Sequence, residues 1–118
     1  MASALSFNGF IPVFTIGFRG LSSDTQAEIM YKSSKQISDK TDMIIFKPAP
    51  KEGLIPMPYL EDEERTLIIN LKGLDQKVYA KLDDFGSPEA LKENMGEKNY
   101  PQNSKVQRVL TFMLAEEY

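Results

Sequence analysis

The chain has 118 residues, a formal net charge of -3 from 14 basic and 17 acidic side chains, and neither cysteine nor histidine. That composition excludes disulfides, thiolate nucleophiles, zinc fingers and iron–sulfur clusters, and it removes the imidazole on which many proton shuttles and transition-metal sites depend. The acidic balance argues against a nucleic-acid partner, and no apolar run reaches the length that spans a bilayer. The expectation is one soluble domain over residues 1–118, with no membrane partner, in a reducing, cytoplasmic compartment.

Residues 1–8 are Ser- and Ala-rich, without the basic n-region or long apolar segment of a secretory signal, and read as a frayed lead-in. Over residues 10–18, Phe10, Pro12, Phe14, Ile16 and Phe18 alternate with Ile11, Val13, Thr15 and Gly17. Aromatic and β-branched residues in that rhythm predict a strand. Both faces are apolar, which predicts an interior strand, with ordered pairing starting after Pro12 because proline cannot donate to a ladder. Gly17 and Gly20 then stand between strand and helix, a place where phosphates can bind. The third glycine and the Lys-Ser/Thr pair of a phosphate loop are missing, so a plain strand-to-helix turn is expected. Phe10, Phe14 and Phe18 could stack bases, but only Arg19 lies close by as a cation, and the core is their expected place.

Ser22 and the residues after it precede Gln26 and Glu28 in two overlapping capping-box frames, predicting a helix over 24–39 with Ala27, Met30, Ser34 and Ile37 on one face. The apolar run at 42–47 suits a strand covered on both sides, and strand, helix, strand implies a right-handed parallel crossover. Pro48, Pro50, Gly53, Pro56 and Pro58 then oppose both helix and ladder, and the acids at 61–64 follow, giving a long Pro-rich and acidic loop over 47–64.

Leu67, Ile69 and Leu71 alternate onto one face, and after a connection at 73–76 Val78, Ala80 and Leu82 do the same, predicting an antiparallel β-hairpin. Lys81 falls on the opposite face. Ser87 as cap, Pro88 at the first helical position and Gly96 as stop predict a short helix. Val106, Val109, Leu110, Met113 and Leu114 follow a helical period after a Ser104 to Gln107 capping box, predicting a last helix, although residues 108–113 also suit a strand. The fold class is α+β, or a small α/β: a βαβ unit, the long loop, the hairpin and two C-terminal helices. That order of elements is also the thioredoxin-like one, an analogy of topology only, since the cysteine pair is absent.

Asp83-Asp84-Phe85-Gly86 has the letters of the kinase magnesium motif without the glycine-rich loop, strand lysine or catalytic loop that give it meaning, so an end-of-strand turn is expected. Asp83 and Asp84, with Glu89 and Glu93, are the carboxylates from which an acid–base enzyme would be built. Glu61, Asp62, Glu63 and Glu64 lack calcium-loop spacing, and adjacent side chains in an extended chain point apart. The leading expectation is therefore a protein without catalytic residues, cofactor or metal: a protein-binding module or accessory subunit. In it Leu54, Ile55, Met57 and Tyr59 anchor a basic protein partner and Glu61, Asp62, Glu63 and Glu64 steer it. The alternatives are a carboxylate-dependent enzyme at Asp83 and Asp84, and a structural subunit of a homo-oligomer.

Overall fold

In the computed structural model the structure describes residues 9–38, 40–50, 56–60, 65–101 and 104–118. In chain order the elements are β1 (Ile11–Phe14), α1 (Ile16–Arg19), α2 (Ser23–Gln36), β2 (Met43–Pro48), β3 (Tyr59–Leu60), β4 (Thr66–Leu71), β5 (Val78–Asp84), α3 (Pro88–Met95), β6 (Arg108–Leu114) and a closing 3₁₀ turn (Ala115–Glu117). The six strands form one mixed sheet in the order β1-β6-β5-β2-β4-β3. The protein is an α+β domain, and the expected lead-in at 1–8 lies outside the described residues.

The α+β class stands, but the hairpin within it does not. β4 pairs in parallel with β2, β5 pairs antiparallel with β2, and the two expected hairpin partners never touch as a ladder. The alternation itself holds: Leu67, Ile69, Leu71, Val78 and Ala80 are all buried in one cluster. What intervenes is β2, whose Ile44 and Phe46 are fully buried and gain most from a strand on each side. The connection between β4 and β5 sinks Leu74 into the core and bends at Gly73, whose φ of 83° favours glycine.

The second correction concerns the C-terminus, where a helix was expected and β6 forms. Leu110, Phe112 and Leu114 enter one cluster and Val109 joins the one on the opposite face, while β6 lies between β1 and β5. As a helix the segment could bury only one stripe; as a strand between two others it buries both sides. The Ser104 hydroxyl accepts from Val106 N–H at 3.1 Å, and Gln107 is drawn to Asp84 at 2.9 Å, so the capping box never closes.

The third concerns β1, an edge strand and not an interior one, which ends at Phe14 before α1 begins. It is apolar on both sides because both layers of the core reach it: Phe14 packs into one cluster, Ile11 and Val13 into the other. β1 and β2 run in the same direction, as the expected crossover requires, but β6 and β5 stand between them.

α2 starts one residue before the expected position 24, with the Ser22 hydroxyl accepting from Thr25 N–H. Its buried positions are Ile29 and Ser33, with Met30 and Ile37 beside them, whereas Ala27 and Ser34 are exposed. A thin stripe leaves the rotation of a helix to the sheet beneath it, and Ile29 offers more apolar area than Ala27. α3 follows its sequence signals fully: Ser87 accepts from Ala90 N–H, Pro88 opens the helix, and Gly96 ends it at φ 89°. It closes the second cluster, of Leu91, Tyr100 and Val109, over β1 and β6.

Candidate functional site

Two clusters of buried side chains lie on opposite faces of the sheet. α2 and Phe18 of α1 cover the face built on Ile44, Phe46, Ile69, Ala80 and Phe112. On the other face the cluster that α3 completes includes Ile11, Val13 and Val109 but no residue of β2, β3 or β4.

The segment expected to be the docking site lies at the far edge of that side. Lys47 and Pro48 of the expected loop belong to β2, and Tyr59 and Leu60 form β3, a two-residue strand antiparallel to β4. The ladder tolerates Pro48 because it stands at the strand's end. Met57 is 82% exposed, Tyr59 46% and Leu60 52%. Leu54, Ile55, Glu61, Asp62, Glu63 and Glu64 lie outside the described residues.

Registers extend this edge into a row. Tyr59 is opposite Ile68, Ile68 opposite Ile45, and Ile45 opposite Tyr79, so the four side chains share one face, on which Ile68 is fully buried and separates Tyr59 from the rest. With strands about 4.8 Å apart, Tyr59 and Tyr79 stand about 14 Å from each other. Tyr79 meets the Tyr118 ring edge-on at 5.3 Å and 72°, and Lys81 Nζ lies 5.6 Å from the centre of that ring. These groups, with Asp42, Met43, Ile45, Thr66 and Asp83, line an open hollow of about 420 Å³.

The charges around the hollow are matched. Arg65 donates through Nε and Nη2 to one oxygen of Asp42 at 3.0 and 2.9 Å, and Lys81 Nζ lies 3.2 Å from Asp83. The hydrogen bond to Asp83, reinforced by its charge, raises the Lys81 pKa above the ordinary value. Asp83 and Asp84, adjacent on β5, point to opposite faces and do not form a pair. Asp84 instead accepts from Gly86 N–H at 2.8 Å and from Gln107, and those two bonds hold its carboxyl below the usual range. That is the end-of-strand turn expected for this motif, and the direction is opposite to the raised pKa of a general acid. Glu89 and Glu93 are exposed on α3. Among the described residues no three acidic side chains are placed to hold a metal ion.

Phe14, Phe18 and Phe112 stack with centroids 5.3–5.7 Å apart inside the core. The Gly17 turn is filled by the protein's own Glu117, which accepts from Gly17 N–H at 3.0 Å. Sequence reasoning missed Tyr79, Tyr118 and Leu60. The alternation that placed Val78 and Ala80 inward already assigned Tyr79 outward, whereas Tyr118 is positioned by a turn that no local pattern announced. No helix among the described residues is long and apolar enough to cross a membrane.

The described residues thus form a small α+β domain whose β3 edge exposes Tyr59 and Leu60. No protein-family model, no curated protein and no solved structure matches the chain.

Proposed function

We propose that the protein is a non-enzymatic protein-binding module or accessory subunit that holds a basic partner at the β3 edge. The observation that carries this reading is the exposure of Met57, between Pro56 and Pro58, and of Tyr59 directly after them. Exposed apolar groups gain by being covered, and a proline-stiffened backbone loses less entropy on binding than a flexible one. Leu54 and Ile55 precede these anchors, and the four acids at 61–64 follow, so a cationic surface would be attracted to the same place. The absence of cysteine supports assigning it to a reducing, cytoplasmic compartment.

The test is parallel affinity capture from lysate with the wild-type chain and with the Met57→Asp, Tyr59→Ala double variant. A partner held by the first, lost from the second and released by salt supports the reading. Identical capture by both removes the edge as the docking site.

A further inference from the structure

α3 ends after eight residues, at Gly96, and a hollow of about 380 Å³ lies beside its last turn. Val13 of β1 is opposite Thr111 of β6, and Val109 of β6 is opposite Asp83 of β5, so these four give the hollow its sheet side. Met95 and Phe85 close it with further apolar surface. That apolar lining is unfinished, because Val109 is buried whereas Val13, Phe85 and Met95 are only partly buried against the same cluster. Apolar surface left in a concavity gains by being covered.

The polar lining consists of acceptors and uncommitted groups. Asn99 donates its Nδ2 to the Met95 carbonyl at 3.0 Å, which leaves its Oδ1 to accept. Asp83 meets Lys81 through Oδ1 at 3.2 Å, which leaves Oδ2. The Thr111 hydroxyl and the Asn94 side-chain amide bond to no described residue. Asn94 and Met95 also stand at the C-terminal end of α3, where the helix dipole is negative. Neither lysine nor arginine lines the hollow.

We propose that this hollow binds a small uncharged aromatic molecule that carries one N–H or O–H donor. The ring packs against Val13, Phe85, Val109 and Met95, whose sulfur is itself a favourable neighbour for an aromatic. The donor is taken by the free oxygen of Asp83 or Asn99. A carboxylate or phosphate would meet those oxygens with no cation in the lining to match it. The volume is near the lower end of the range for ligand pockets, which favours one or two rings. The proposal is independent of the docking reading, since β1 and β3 are at opposite ends of the sheet.

Titration of the ¹⁵N-labelled wild-type chain with indole tests it by amide chemical shift. Saturable shifts are expected at Val13, Met95, Asn99 and Thr111 with a Kd of about 0.1–1 mM, reasonable for a ligand of about nine non-hydrogen atoms. Benzofuran, nearly the same shape without the N–H, should bind about 3- to 10-fold more weakly, and indole-3-carboxylate should leave these amides in place. Shifts centred on Met57 and Tyr59, shifts that rise linearly to the solubility limit, or no shifts overturn the proposal. So does benzofuran or indole-3-carboxylate binding as tightly as indole.

Discussion

The carboxylate of Glu117 occupies the space that a side chain at residue 17 would need: a Cβ on Gly17 would lie 2.5 Å from Glu117 Oε1. From that position Glu117 accepts from the Thr15 hydroxyl at 2.6 Å, Gly17 N–H at 3.0 Å and Leu114 N–H at 2.9 Å, tying the end of β6 to the start of α1. Gly17→Ala should therefore destabilise the fold by about 1–3 kcal/mol in urea melts, because the clip must give way. In a Glu117→Ala background the same substitution should cost less, and equal costs in the two backgrounds would show that the residues are not coupled.

The same clip sets the acid side of the stability profile. Hydrogen bonds from Thr15 and Leu114 lower the Glu117 pKa from its usual 4.5. A depressed carboxyl contributes stability that is present above the unfolded value and is lost as the pH falls through the folded one. Asp84 behaves alike from its usual 3.8, while the raised Lys81 contributes below 10.5 and loses its contribution above its folded value. All three transitions lie outside pH 6–8, where the melting temperature should stay flat. Below pH 4.5 it should fall more steeply for wild type than for Glu117→Gln, and parallel profiles would remove Glu117 from the account.

Ile69 and Lys81 test the two sides of the sheet. Ile69 is 5% exposed, and Ile69→Ala should cost about 2–5 kcal/mol through lost contacts and the cavity left behind. Lys81 lies on the other face, half-exposed and paired with Asp83, and Lys81→Ala should cost about 0.5 kcal/mol or less. Similar losses in denaturant melts would contradict the register.

Ser33 is fully buried on α2, and its hydroxyl finds no hydrogen-bond partner among the described residues. Removing an unsatisfied buried hydroxyl lifts a desolvation penalty of about 1–3 kcal/mol, so Ser33→Ala should be stabilising. A clear loss of stability by calorimetry would mean that the hydroxyl is bonded.

For a captured partner, Tyr59→Ala should speed dissociation and leave association nearly unchanged, as expected for an apolar anchor. Reversing Glu61, Asp62, Glu63 and Glu64 to Lys should slow association and flatten its salt dependence, since charges within about 8 Å still interact at physiological ionic strength. Wild-type association by the reversed protein at low salt would remove the acids from the steering role.

The local signals in the sequence determined α3 almost completely, because a serine cap, a first-turn proline and a stop glycine each act within one turn of backbone. They also determined which residues of β4 and β5 point inward, since alternation is a property of the strand alone. Exposure of Met57 and Tyr59 was not legible in this way, since apolar side chains beside prolines could equally fold back onto the core. Tertiary structure alone decided which strands are neighbours. β2 separates β4 from β5 because its two apolar faces and two ladder edges are best satisfied at the centre, a comparison among whole arrangements that no short window contains. It likewise decided that residues 108–114 form a strand, where the helical spacing of Val109, Leu110 and Met113 is also a strand with both faces apolar and only the place between β1 and β5 distinguishes the two. Glu117 reaching Gly17, and Tyr118 reaching Tyr79, are contacts across 100 and 39 positions of chain, and they exist only once the sheet has brought those ends together.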